Sequence, residues 1–180
     1  LEQRGIEYNL AYVGYAIGHE LSHCLDNTGS KYDEIGNLKN WWTKEDKAKY
    51  QKKIDDVIKQ YEEYAKRDGI EFDASIGTGE NLADISGISL AEEYLFYFQL
   101  LNGDIAPIKK NSLEAFYIYS AQTWRQKIFD KALPAQLKQN PHPLDKYRCN
   151  CPLARLPLFR EIYNVKEGDG MWWNNTDTIW

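Results

Sequence analysis

A His-Glu-Leu-Ser-His stretch, residues 19–23, constrains the fold of this chain more than any other feature. It lies in an apolar segment, residues 10–25, whose pattern predicts a helix. Because side chains four positions apart share one side of a helix, the imidazoles of His19 and His23 are expected to lie together. They can bind one zinc ion, and Glu20 beside them can accept a proton from water that the zinc activates. A structural zinc, or two unrelated histidines on a buried face, would give the same pattern.

The composition indicates one folded domain. A chain of 180 residues can bury a sizeable core, and 43% hydrophobic with 27% charged residues excludes a disordered or collagen-like chain. The net charge of −5 argues against nucleic acid and against an anionic membrane surface as partners. No apolar run approaches the roughly 20 residues of a membrane-spanning helix, and no signal peptide is visible.

The methionine and the cysteines bear on processing and redox state. Met171 is the only methionine, so Leu1 is not expected to be a translational start, and we expect the chain to be a piece of a longer protein.

Cys149 and Cys151 are too close in sequence for an easy mutual bridge, and Cys24 makes the number of cysteines odd. Three free thiols are therefore expected, with a Cys-x-Cys metal site as the weaker alternative.

Helical spacing of apolar residues and well-placed turn formers predict a mainly α architecture with little sheet. Caps and breakers set the expected boundaries. The predicted elements are a first helix ending at residues 26–29, a second capped by Thr43 and stopped at Gly69, a short extended stretch over residues 70–73, a third capped by Thr78 and running over about 80–101, a fourth capped by Ser112 and reaching Ile128, and short helical pieces from Pro134 and over residues 158–163.

Two acidic residues are candidates to complete a zinc site. A catalytic zinc needs a third protein ligand and one open position. Glu80 and Asp84 are four apart, so a helix would present both carboxylates on one side. One could bind the metal while the other accepts the free N–H of a ligating imidazole and fixes its tautomer. The alternative is a helix N-terminus whose acidic residues suit its dipole.

Three further residues are candidates for supporting roles. Asp26, three positions after His23, could orient that imidazole or could serve a turn. His142, between two prolines, could stabilise the oxyanion of a tetrahedral intermediate, or could be a surface residue of a rigid loop. Arg148 could bind a peptide carbonyl or carboxylate through its planar guanidinium, or could form an ordinary surface salt bridge.

Four separately spaced motifs resemble those of the neprilysin-like zinc metallopeptidases, and the resemblance runs nearly end to end. The ending resembles the bacterial oligopeptidase branch, endopeptidase O. The matching residues are Val13 to His23 with its Ile-Gly-His-Glu context, Asp26, Gly29, Gly36-Asn37-Leu38 and Trp41-Trp42-Thr43, Gly79 to Asp84, His142-Pro143 with Arg148, and Asp169-Gly170-Met171 with Ile179-Trp180.

The resemblance implies a zincin-like (thermolysin-like) gluzincin fold, with residues 1–180 as the C-terminal zinc-binding catalytic domain of an endopeptidase that hydrolyses internal bonds of small peptides. It also implies a role for each candidate. His19, His23 and Glu80 would hold one zinc ion, and Glu20 would be the general base. Asp84 would orient His19, and Asp26 would orient His23. His142 would stabilise the oxyanion, and Arg148 would hold a substrate carbonyl on the primed side.

Two departures from the family pattern shape the expectations. Mammalian members carry late cysteines, including a terminal Cys-x-x-Trp, whereas residues 177–180 read Asp-Thr-Ile-Trp. This favours a disulfide-free protein of cytoplasmic or bacterial type, although residues 174–176 form a glycosylation sequon. The family's substrate-anchoring strand and large covering domain have no counterpart in these 180 residues, so the missing N-terminal part of the same protein is an expected partner. A catalytically incompetent zinc-binding module is the alternative function, and a helical domain without metal is a third.

Overall fold

A computed structural model describes residues 4–103 and 109–180 of the chain. Within these residues there is no β-strand, and an isolated bridge pairs Tyr32 with Leu38. The mainly α fold class is therefore confirmed. The α-helices are α1 (Ile6–Asn9), α2 (Tyr15–Ser22), α3 (Lys44–Arg67), α4 (Thr78–Asn102), α5 (Lys110–Thr123), α6 (Leu133–Gln139), α7 (Asp145–Leu153) and α8 (Pro157–Ile162).

The first helical segment is continuous but not uniform. A π-helical turn, Leu10–Gly14, joins α1 to α2, and a 3₁₀ turn, His23–Leu25, follows α2. The helix predicted over residues 10–25 thus begins earlier, at Ile6. It ends at Asp26, whose backbone is extended and whose Oδ1 accepts the backbone N–H groups of the turn that follows.

The second predicted helix is confirmed as α3. The Thr43 hydroxyl accepts the backbone N–H of Asp46 at 3.1 Å, which satisfies one free donor of the first turn. At the other end Gly69 adopts a left-handed backbone conformation, φ +73°, which favours glycine.

Several predicted boundaries are wrong. Residues 70–73 are irregular and pair with no strand among the described residues. Thr78 is the first residue of α4 rather than its N-cap, which is Gly77, and its hydroxyl donates to the carbonyl of Ser75. Ser112 lies inside the first turn of α5, which ends at Thr123 rather than at Ile128.

Helix α7 was not predicted at all. Prolines flank the segment on both sides, and Pro152 lies within it, which led the sequence to be interpreted as short turns. In the structure Pro152 is near the end of the helix, where the missing N–H costs one hydrogen bond and the preceding turns form normally. The helix matters because it carries Arg148.

Helix α4 lies at the centre of the molecule and contributes to two buried clusters. One cluster forms with α3 and α7, around Val57, Tyr61 and Tyr147; the other forms with the first helical segment, α5 and α8, around Leu95 and Phe116. Burial of these side chains is the main favourable free-energy contribution to the fold. Helix α4 is therefore fixed by packing from Leu82 to Leu95.

Helices α2 and α4 touch through glycine. A Cβ atom on Gly87 would lie 2.8 Å from the backbone nitrogen of His19 and 3.0 Å from the carbonyl oxygen of Tyr15, and a Cβ on Gly18 would lie 3.1 Å from the carbonyl oxygen of Gly87. Only hydrogen fits at Gly87, so the backbones approach closely. This contact places the start of α4 opposite the histidines of α2.

The C-terminal tail is held by a fully buried arginine. The Arg155 guanidinium donates to Asp56 and Gln60 of α3, each at 2.6 Å, and to the carbonyl of Asp177 at 2.9 Å. Trp180, the last residue, stacks on Tyr50 with ring centroids 5.6 Å apart. Ile179 beside it is buried in the same cluster as Val57 and Tyr61, so this segment packs on the core although the Trp180 ring is half exposed.

The three cysteines are free thiols, one exposed, one half-buried and one buried. Across residues 4–103 and 109–180, the helices are too short or too polar to cross a membrane.

Candidate metal centre

The structure brings His19, His23 and Glu80 together. The two Nε2 atoms lie 3.1 Å apart, and the Glu80 oxygens lie 3.4 Å from Nε2 of His19 and 3.7 Å from Nε2 of His23. Donor atoms that bind zinc tetrahedrally at 2.0–2.1 Å lie about 3.3–3.4 Å from one another. The spacing and the two-nitrogen, one-oxygen donor set therefore fit a zinc ion with one position left open. Within the described parts of the chain, this is the only group found with metal-ligand spacing.

Each imidazole is held from behind by a carboxylate. Nδ1 of His19 lies 2.8 Å from Oδ1 of Asp84, and Nδ1 of His23 lies 2.8 Å from Oδ2 of Asp26. A carboxylate at Nδ1 fixes the proton there and leaves Nε2 free to bind a metal. Burial lowers the pKa of His19, but hydrogen bonds and charge from Asp84 and Glu80 outweigh it and raise the pKa to about 9.

Glu80 is surrounded by cationic and imidazole groups. Its Oε2 lies 3.1 Å from Nε2 of His142 and 3.3 Å from Nη2 of Arg148. Burial alone would raise the pKa of the Glu80 carboxyl, but His19, His142 and Arg148 together hold it below its usual value. Glu80 is therefore a carboxylate, the form that binds metal.

Two of the candidate residues, Glu20 and His142, are exposed. Glu20 is exposed on α2 directly beside His19. His142 is 46% exposed in the connection between α6 and α7, where Oδ1 of Asn140 accepts its backbone N–H and lies 3.1 Å from its Nδ1. Gln136 donates to the carbonyl of His142 at 3.0 Å, so the loop is anchored to α6.

Arg148 contacts the carboxylates of the site. Its Nε donates to Oδ2 of Asp84 at 2.7 Å and its Nη2 donates to Oδ1 at 2.8 Å. The guanidinium also lies over the ring of Trp124, 4.5 Å from its centroid. Of the three guanidinium nitrogens of Arg148, Nη1 alone has no hydrogen-bond partner among the described residues.

Sequence reasoning missed Tyr15 and Trp124. The Tyr15 hydroxyl donates to Asp84 and lies 3.4 Å from Nδ1 of His19. Burial and the charge of Asp84 raise the pKa of Tyr15 far above its usual value, so the hydroxyl stays protonated and acts as a donor. Its spacing of four residues from His19, the same as between the two histidines, was an available signal. Trp124 directly follows α5, far from His19 in sequence, and no sequence signal pointed to it.

The chain is similar in sequence to known peptidases. Residues 3–179 match the profile of the family described as Peptidase family M13. The chain is 33% identical to a neutral endopeptidase of Lactobacillus helveticus, covering 99% of this chain and 26% of that protein. It is 30% identical to an endothelin-converting enzyme homolog of Locusta migratoria, covering 91% and 23%. It thus spans about a quarter of the length of these relatives.

Solved structures of zinc metalloproteases share the fold. Mycobacterium tuberculosis zinc metalloprotease Zmp1, in complex with an inhibitor, superposes with a TM-score of 0.83 at 31% identity, over 94% of this chain and 27% of that one. PepO from Lactobacillus rhamnosis superposes with a TM-score of 0.80 at 29% identity, over 98% and 27%. The predicted resemblance to neprilysin-like enzymes of the bacterial branch is confirmed: the chain belongs to peptidase family M13.

Proposed function

We propose that the protein is a zinc-dependent endopeptidase that hydrolyses internal bonds of small peptides, and that this chain is its C-terminal catalytic part. The observation that carries the proposal is the convergence of the metal-binding atoms of His19, His23 and Glu80 at the spacing of a tetrahedral zinc site. The exposed side chain of Glu20, next to His19 in sequence, supports a hydrolytic role over a structural one. Family membership supports the same conclusion.

One zinc ion, held by these three residues, would polarise the scissile carbonyl and make water a stronger acid. Glu20 takes a proton from the attacking water and passes it to the leaving amine. Asp84 and Asp26 accept the Nδ1 protons of the two histidine ligands and keep each Nε2 directed at the metal.

The remaining candidates would act on the substrate. His142, whose Nε2 lies beside Glu80, donates to the negative oxygen that develops at the former carbonyl. Arg148 binds a substrate carbonyl on the primed side through Nη1, while its other nitrogens hold Asp84. Because the chain spans about a quarter of its relatives' length, we assign the substrate-anchoring strand and the covering domain to another part of the same protein.

Replacement of the general base tests the proposal in the intact protein. Glu20→Gln should lower hydrolysis of a quenched fluorescent peptide by roughly 10²–10⁴-fold, because proton transfer to a positioned base contributes that much. Zinc content by elemental analysis should stay unchanged, since Glu20 is not a ligand. Glu71→Gln, the same change at an exposed glutamate with no proposed role, is the matched control and should behave as wild type.

The outcomes separate the alternatives. Full peptidase activity in Glu20→Gln would exclude Glu20 as the base and overturn the mechanism. A wild-type protein that binds one zinc per chain but hydrolyses no peptide would support the catalytically incompetent zinc-binding module instead. A wild-type protein without zinc would contradict both and leave the helical domain without metal.

A further inference from the structure

Tyr15 contacts the metal site but has no part in the proposed reaction. It lies one turn before His19 on α2, so Tyr15, His19 and His23 form a stripe on one side of the helix. Its hydroxyl donates to Oδ1 of Asp84 and lies 3.4 Å from Nδ1 of His19. The phenol therefore sits at the junction between a candidate zinc ligand and the carboxylate that holds it.

Asp84 is fully buried, and its position depends on the groups that donate to it. Oδ2 accepts Nε of Arg148 at 2.7 Å. Oδ1 accepts Nη2 of Arg148 at 2.8 Å and the Tyr15 hydroxyl, and lies 2.8 Å from Nδ1 of His19. A buried carboxylate shielded from water needs such donors to satisfy its hydrogen-bonding capacity. Tyr15 supplies one of them directly at the oxygen that faces His19.

The surroundings leave the phenol little freedom. Its ring meets the ring of Trp124 edge to face, with centroids 5.7 Å apart, and Arg148 lies over the same indole at 4.5 Å. Trp124 therefore supports both side chains that donate to Asp84. Asp84 has no exposed surface, so the hydroxyl of Tyr15, rather than bulk solvent, is the donor at this oxygen.

We propose that Tyr15 is a positioning residue of the metal site, whose hydroxyl fixes the Asp84 carboxylate that in turn fixes the imidazole of His19. This rests on the proposed zinc site, but it assigns a role to a residue outside it. Removal of an outer hydrogen-bond partner of a metal ligand typically lowers metal affinity by 10–100-fold. The ring of Tyr15, by contrast, contributes packing against Trp124, and phenylalanine would preserve it.

The test compares Tyr15→Phe with Tyr12→Phe in the intact protein. Tyr12 lies on the same helical segment and is 51% exposed, so its variant makes the same chemical change away from the site. Zinc affinity is measured by competition with a chelator, and the visible absorption of the Co²⁺-substituted protein reports the geometry of the ligands. Thermal unfolding of the metal-free proteins shows that each variant is folded at the temperature of the measurement.

We expect Tyr15→Phe to bind zinc about 10-fold more weakly and to change the Co²⁺ spectrum, whereas Tyr12→Phe matches wild type in both. Zinc affinity within twofold of wild type together with an unchanged Co²⁺ spectrum would overturn the role of Tyr15 while leaving the zinc site intact. A Tyr15→Phe protein that does not fold would make Tyr15 a packing residue and would also overturn it. A wild-type protein that binds no zinc would overturn the proposed function itself.

Discussion

At the scale of single residues, the two histidines of the site are held in different ways. Asp26, behind His23, is fixed by the backbone N–H groups of Thr28 and Gly29, each at 2.7 Å, within one local turn. Asp84, behind His19, is fixed by side chains from α2 and α7. The orientation of His23 is therefore encoded locally, whereas that of His19 depends on the packing of distant helices.

His142 differs from the ligands in what its loss should affect. Its ring lies next to Glu80 but is exposed, and in the proposed mechanism it donates to the oxyanion and does not bind the metal. We expect His142→Phe to lower kcat/KM by roughly 10²–10³-fold, the usual effect of removing one oxyanion donor. Zinc content should not change. Parallel peptidase assays and elemental analysis check this, and equal loss of both would indicate a structural role.

At the scale of helices, the contact between α2 and α4 sets the distance between the histidines and Glu80. The contact depends on Gly87, since any side chain there would collide with the backbone of His19 and Tyr15. Backbone atoms cannot move aside as the end of a flexible side chain can. The helix that carries Glu80 is thus pressed directly against the helix that carries the histidines.

Gly87→Ala should separate these two helices. A Cβ atom 2.8 Å from the nitrogen of His19 forces a backbone shift, and overpacking of this kind costs about 1–3 kcal/mol of unfolding free energy. Gly170→Ala is the control, because a Cβ there meets no atom within 4 Å. Denaturant unfolding and zinc titration of both variants measure the effect. Equal stability and zinc affinity in the two variants would show that the helix contact tolerates a methyl group.

The parts of the fold and site that could be predicted from sequence are those with a local cause. The spacing of His19 and His23 and the cap at Thr43 depend on neighbouring residues, and both were recognised. The proximity of Arg148 to Asp84 depends on α7, a helix that was not predicted because it contains Pro152. The contact of the Arg148 guanidinium with the Trp124 ring depends on tertiary packing alone. Short-range patterns carry no information on such contacts unless a family resemblance supplies it.

At the scale of the whole molecule, the buried arginine joins the tail to the core. Arg155 links Asp56 of α3 to the backbone of Asp177, and Asn175 adds a hydrogen bond to Asp56 at 3.0 Å. Lys53 reaches the same region, donating to Asp177 at 3.0 Å. The last residues therefore stabilise α3, on which the α4 helix packs.

Arg155→Met should destabilise the protein by about 3 kcal/mol, because it leaves Asp56 and the tail carbonyl without their buried partner. Lys49→Met, which breaks an exposed ion pair with Glu45, should cost about 0.5 kcal/mol or less. Denaturant unfolding monitored by tryptophan fluorescence compares them. Similar free energies of unfolding for the two variants would show that Arg155 does not anchor the tail.

The order of the three candidate zinc ligands along the chain has a consequence for the time course of folding. His19 and His23 come from one helix, which forms on the microsecond scale, whereas Glu80 joins them only after the intervening chain, including all of α3, has closed into a loop. In a nascent chain the two histidines are close in sequence from the start, but the carboxylate that orients His19 and the third candidate ligand come to them only with α4. Tight zinc binding would therefore require α4 to be docked on α2. Zinc affinity during refolding would report when this part of the core has formed.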